Sequence, residues 1–124
     1  MGYRSEVKSI IYGSSEEMTK FMEDNITRMT LLREEYGDVQ LSEQVDYTGN
    51  VAVLYLKADH IKWYEEYDYV TMWTALLTRA NTFGLATEFA RVSEDADDVE
   101  LRQSHKSKNY LYTRTSIKAG FLGE

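Results

Sequence analysis

The greatest chemical capacity in this 124-residue chain lies in the carboxylates between positions 94 and 100. Glu94, Asp95, Asp97, Asp98 and Glu100 are close enough in sequence to chelate a cation or to present a dense negative patch. An EF-hand calcium loop is a poor match, because the fixed ligand frame around a central glycine is missing. A negative patch fits better: clustered carboxylates can stand where phosphates would and meet the Lys and Arg side chains of a nucleic-acid-binding protein. The plain alternative is a solvated connection whose charges keep a sheet edge from pairing with other chains.

A second group is aromatic. Trp63, Tyr64, Tyr67 and Tyr69 surround Glu65 and Glu66. Aromatic side chains with polar tips suit binding surfaces and stack on bases; they also staple the point where a strand turns into a helix. The spacing assigns Trp63 and Tyr69 to the core and leaves Tyr64 and Tyr67 as exposed candidates. A third group is the basic run Arg102, His105, Lys106 and Lys108. Arg102, Lys106 and, further on, Arg114 could hold the phosphate of a nucleotide-like ligand stacked on Tyr64 or Tyr67. The simpler role for the run is to pair with the acidic segment that precedes it. His60 and His105 lack zinc-ligand spacing, and His60 follows Asp59 in an extended segment where neighbours face opposite sides. There is no Gly-rich phosphate loop, no GxSxG elbow and no cysteine. These readings name no catalytic residue, no metal and no cofactor, and they point away from an enzyme.

Composition narrows the class further. At 43% hydrophobic residues the chain is neither disordered nor a membrane span, and its length suits one domain over 1–124. The opening alternation is unlike a signal peptide, and Glu6 breaks the myristoylation pattern, so the expected location is the cytoplasm. The net charge is −7, yet residues 101–123 contain Arg102, Lys106, Lys108, Arg114 and Lys118 and no acid. The remainder is therefore strongly acidic, which argues against direct binding of nucleic acid.

The elements that must position these groups are legible from periodicity. Residues 3–12 alternate as a strand, with Val7, Ser9 and Ile11 on one side and Lys8, Ile10 and Tyr12 on the other. Ser14 and Glu17 form a capping box for one helix over about residues 15–36, with Met18, Phe21, Met22, Ile26, Met29, Leu32 and Tyr36 on its apolar stripe and Gly37 as a left-handed stop. Residues 39–47 and 51–57 read as a hairpin around Thr48-Gly49-Asn50, and Asp59-His60 breaks the pattern. Asp68 is the expected N-cap of a second helix, whose stripe is Tyr69, Met72, Trp73, Leu76, Leu77, Ala80 and Phe83 and whose stop is Gly84. Strands follow at 85–92 and 110–118, with 93–108 irregular. The order β-α-β-β-α-β-β implies an α+β, two-layer domain, two helices on one face of an antiparallel or mixed sheet, a ferredoxin-like variant.

Three passages carry a resemblance. Tyr3-Arg4-Ser5-Glu6-Val7, Ile61-Lys62-Trp63-Tyr64 with Tyr67-Asp68, and Phe89 to Glu100 resemble the YRSDV-like start, VKWY segment and acidic FIRIGED-like loop of a group of short phage and prophage proteins. Ala90 and Ser93 depart from that pattern. The resemblance implies a phage origin and a shared fold, with no catalytic residues to transfer. The combined expectation is a small acidic phage-encoded protein that binds a host protein, as an inhibitor of a defence or nucleic-acid enzyme, in the host cytoplasm. The alternative is a sponge or receptor for a small anionic, nucleotide-like ligand. A homodimer through a sheet edge or the aromatic cluster is compatible with these patterns and not specified by them.

Overall fold

The alternation of Val7 and Ile11 against Ile10 and Tyr12 places β1 (Ser5–Gly13) at the centre of the sheet, where both faces are buried. The computed structural model describes residues 4–94, 98–104, 106–113 and 117–123. β1 pairs antiparallel with β3 (Ala52–Ile61) on one side and β4 (Ala86–Ser93) on the other. β2 (Gln40–Val45) and β5 (Val99–Gln103) form the edges, giving the order β2-β3-β1-β4-β5 with every neighbouring pair antiparallel. The fold is thus α+β, with three α-helices and an antiparallel five-stranded sheet among the described residues. Among the described residues no helix is long and apolar enough to cross a membrane.

The first helical region is two helices rather than one. α1 (Ser15–Asp24) begins at the expected capping box: the Ser14 Oγ accepts from the Glu17 amide at 3.2 Å and donates to its carboxylate at 2.9 Å. It stops at Asn25, whose side-chain amide donates to the Phe21 carbonyl at 2.9 Å and whose backbone leaves the helical region (φ −119°, ψ 21°). A short polar side chain that bonds the backbone locally competes with helix propagation, and here it divides the stripe. α2 (Ile26–Glu35) restarts immediately. The break turns Ile26 outward, against the expectation that it joins the core. Gly37 does not take the left-handed conformation; α2 ends at Tyr36, with φ −121°.

α3 (Asp68–Phe83) buries Val70, Trp73, Leu76 and Ala80, and ends on Gly84 in the left-handed region (φ 97°) as its sequence predicts. Its N-cap position is Tyr67 rather than Asp68, which enters the first turn, where its charge still suits the helix dipole. Thr71, Thr78 and Thr82 donate their hydroxyls to carbonyls four residues back, which satisfies them on the exposed side. The helices cover one sheet face, where Phe21, Met29, Leu32, Trp73 and Leu76 meet Val7, Ile11, Leu54, Leu56 and Phe89.

The other face is covered too. β6 (Leu111–Thr113) and β7 (Ile117–Ala119) pair with each other, not with the main sheet, and lead into a 3₁₀ turn at Gly120–Leu122. Leu111, Ile117, Ala119 and Phe121 pack on Ile10, Tyr12, Val53 and Tyr55. This third layer is absent from the two-layer expectation, and it explains why the central strands are apolar on both sides. The expected single strand over 110–118 is this pair of short strands, and β5 lies within the segment read as irregular. β3 continues past Asp59 to Ile61, accommodating His60 at φ 56° opposite a register shift in β1.

Candidate functional site

The segment from Lys62 to Tyr67 links the end of β3 to the start of α3, and it is pinned at several points. The Tyr67 amide donates to the Tyr64 carbonyl at 3.1 Å, and the Thr71 hydroxyl to the Glu65 carbonyl at 3.1 Å. The Tyr69 hydroxyl donates to the Lys62 carbonyl. Trp63 is half-buried, its ring 5.8 Å from both Tyr69 and Phe89, so it closes the core from outside. Tyr64 and Tyr67 are half-buried and stand edge-on to each other at 5.8 Å.

Across from this segment runs the β4–β5 hairpin. Its register sets Arg91 opposite Glu100 and Phe89 opposite Arg102, all on the helix-covered face. Arg91 is the organising cation. Its side chain is only 17% exposed; it forks onto Asp98 at 3.1 and 3.2 Å and reaches Glu100 at 3.3 Å. The paired hydrogen bonds to Asp98 raise the Arg91 pKa further above its ordinary value and hold the Asp98 carboxyl below the usual carboxylate range. Glu100 also pairs with Arg102 at 2.7 Å, and the Arg102 guanidinium lies 4.9 Å above the Phe89 ring.

Between these walls is a cleft of about 470 Å³. It is lined by Trp63, Tyr64 and Glu65 of the connecting segment, by Val70, Thr71 and Thr74 of α3, and by Arg91, Asp98, Glu100 and Arg102 of the hairpin. Its volume lies in the range of small-ligand pockets, and its lining combines aromatic faces with a few converging charges. Among the described residues that line it there is no histidine, cysteine or serine.

The structure brings Tyr64, Asp98, Glu100 and Arg102 together around the cleft, and Tyr67, Glu94 and Lys106 are not among its lining residues. Tyr67 does not line the cleft; it packs against Tyr69, 5.6 Å between rings. Glu94 directly follows β4, and its carboxylate accepts from the Arg4 amide at 2.7 Å. Lys106 donates to the Gly84 carbonyl at 3.0 Å, at the C-terminal end of α3, so it does not join Arg102 around one phosphate. Asp95, Asp97, His105 and Arg114 lie outside the described residues. Arg91 was not a sequence candidate. Its signal was the strand alternation that puts it on the same face as Phe89, but its acidic partners emerge only once 98–103 is paired back on β4.

Comparison with protein-family models, with curated proteins and with solved structures gives no match in any of the three.

Proposed function

We propose that this chain is a small binding protein whose cleft accepts a cationic side chain, arginine above all, from a basic protein partner. The observation that carries this reading is the cleft's lining: three carboxylates, Glu65, Asp98 and Glu100, against two guanidinium groups, with Trp63 and Tyr64 beside them. The balance is negative, and an aromatic face next to carboxylates is the surface on which a guanidinium can both stack and form forked hydrogen bonds. A phosphate would meet net repulsion in the same space, which weighs against the nucleotide-like ligand. Because Arg91 and Arg102 already hold Asp98 and Glu100, the carboxylates are fixed in position rather than displayed as a diffuse charged loop. That favours recognition of one side chain over general mimicry of a nucleic-acid backbone.

The resemblance to phage proteins makes a host nucleic-acid-binding protein the natural partner, met in the host cytoplasm and inhibited by occupation of its basic surface. The scaffold for this surface is a ferredoxin-like arrangement, its four-strand core β2-β3-β1-β4 extended by β5. The test is amide-resolved NMR titration of the full chain with an arginine-rich oligopeptide, a lysine-rich one of equal length, and AMP. Saturable shifts at Tyr64, Glu65 and Glu100 with the arginine peptide, weakened in Tyr64→Ala and Glu65→Lys, are expected. Shifts at those residues with AMP and none with either peptide would favour the nucleotide-like ligand instead.

A further inference from the structure

β5 is an edge strand whose outer side carries no strand among the described residues. Two hydrogen bonds define which of its backbone groups are used. The Ser93 amide donates to the Asp98 carbonyl at 3.0 Å, and the Ser104 amide to the Thr87 carbonyl at 3.0 Å. In an antiparallel ladder, residues in phase with these bonds direct both backbone groups to the neighbour, and the alternate residues direct theirs away. Glu100 and Arg102 therefore bond inward to β4, while Val99, Leu101 and Gln103 offer N–H and C=O groups to the outside. Val99 and Leu101 are also 46% exposed each, on the sheet face opposite the cleft.

We propose that β5 pairs antiparallel with β5 of a second copy of this chain, centred on Leu101, to form a two-fold dimer with a continuous sheet. The register follows from three coincidences. A two-fold axis at Leu101 places Leu101 against its own copy and Val99 against Gln103, and these are the residues whose backbone groups point outward. The same axis places Glu100 against Arg102 of the second copy, in the non-hydrogen-bonded position where side chains approach most closely. Moving the axis to Glu100 or to Arg102 instead sets two like charges directly opposite each other. The segment is thus self-complementary in hydrogen bonding, apolar contact and charge, as an isologous interface requires. Glu100 and Arg102 line the cleft, so the second copy's Arg102 would stand at its rim and the two clefts would lie side by side. The pairing does not depend on what occupies the cleft.

Sedimentation velocity of the full chain over a concentration series gives the first result: a species of twice the monomer mass. Glu100→Arg and Arg102→Glu each set like charges across the axis, and each should raise the dissociation constant about tenfold or more. One variant then carries two cations and the other two anions on this face, so mixing them should restore dimer as a heterodimer. Leu101→Pro provides an independent arm: its lost N–H faces away from β4, so the monomer ladder is kept while the dimer is blocked. A monomer at every concentration up to about 1 mM overturns the proposal. So does a dimer indifferent to all three substitutions, or a failure of the mixed variants to associate when each is folded by far-UV circular dichroism. If both charge variants fail to fold, Leu101→Pro decides alone, a monomer supporting the pairing and a dimer overturning it.

Discussion

Glu88 is the group on which the attachment of the β6–β7 layer can be tested most sharply. It lies on β4, 1% exposed, on the face away from the helices. One carboxylate oxygen accepts from the Tyr12 hydroxyl at 2.5 Å and from the Tyr110 amide at 3.0 Å; the other accepts from the Leu111 amide at 2.8 Å. The two amides belong to the start of β6, so this one side chain supplies acceptors to a strand end that no sheet neighbour satisfies. Glu88→Ala leaves both amides buried without a partner. At about 1–3 kcal/mol for each unsatisfied group, the loss should be about 2–6 kcal/mol, a large part of the roughly 5–15 kcal/mol typical of a domain. Glu88→Gln keeps one oxygen and turns an N–H toward the donor at the other site, so one amide loses its acceptor at about 1–3 kcal/mol. Tyr12 can adapt, because its hydroxyl already accepts from the Lys108 amide at 2.6 Å and can rotate its own proton. Urea unfolding gives the stabilities, and amide hydrogen exchange should show Tyr110 and Leu111 losing protection before β1 or β3. If Glu88→Ala stays within about 0.5 kcal/mol of the parent and both amides remain protected, the carboxylate does not anchor this layer.

Two further outcomes follow from other contacts. A Cβ built at Gly13 would stand 2.5 Å from the buried Leu85 Cδ2, so Gly13→Ala should cost about 1–3 kcal/mol by thermal or urea unfolding; a neutral result would mean that the β1–α1 corner can yield. The second concerns pH at both extremes. Burial opposes ionisation of Asp46, but hydrogen bonds from Thr48, Tyr110 and the Val51 and Asn50 amides outweigh it and hold its pKa below 3.8. A depressed folded pKa stabilises above the unfolded value and is lost as pH falls below it, so Asp46→Asn should flatten the acid limb of the stability curve. Tyr110 is shifted the other way, pushed up to about 12 by burial, its bond to Asp46 and nearby negative charge. Its contribution is full below pH 10.0 and lost as pH rises toward 12, so Tyr110→Phe should reduce the alkaline loss of stability, read by denaturant titration at each pH.

Local chemistry was sufficient wherever the determinant lay within a few residues. The capping box at Ser14 and Glu17, the left-handed stop at Gly84, the two faces of β1 and the stripe through Trp73, Leu76 and Ala80 depend on backbone and side-chain groups close in sequence. Ile26 shows the limit, since the break at Asn25 turns it out of the core, whereas Val70, three residues before Trp73, is buried on the same stripe and its spacing was there to be read. The site depended on distance in sequence. Arg91 acquires its carboxylates only when β5 folds back on β4, and Tyr64 and Arg102, far apart in sequence, come to line one cleft. Residue types alone marked Tyr64, Asp98, Glu100 and Arg102 as candidates and grouped Lys106 with them. Tertiary structure put Lys106 on the Gly84 carbonyl and set two carboxylates of the row, Asp98 and Glu100, on the guanidinium groups of Arg91 and Arg102. Pairing partners that are separated in sequence are chosen by strand register and layer packing, and those are properties of the whole chain.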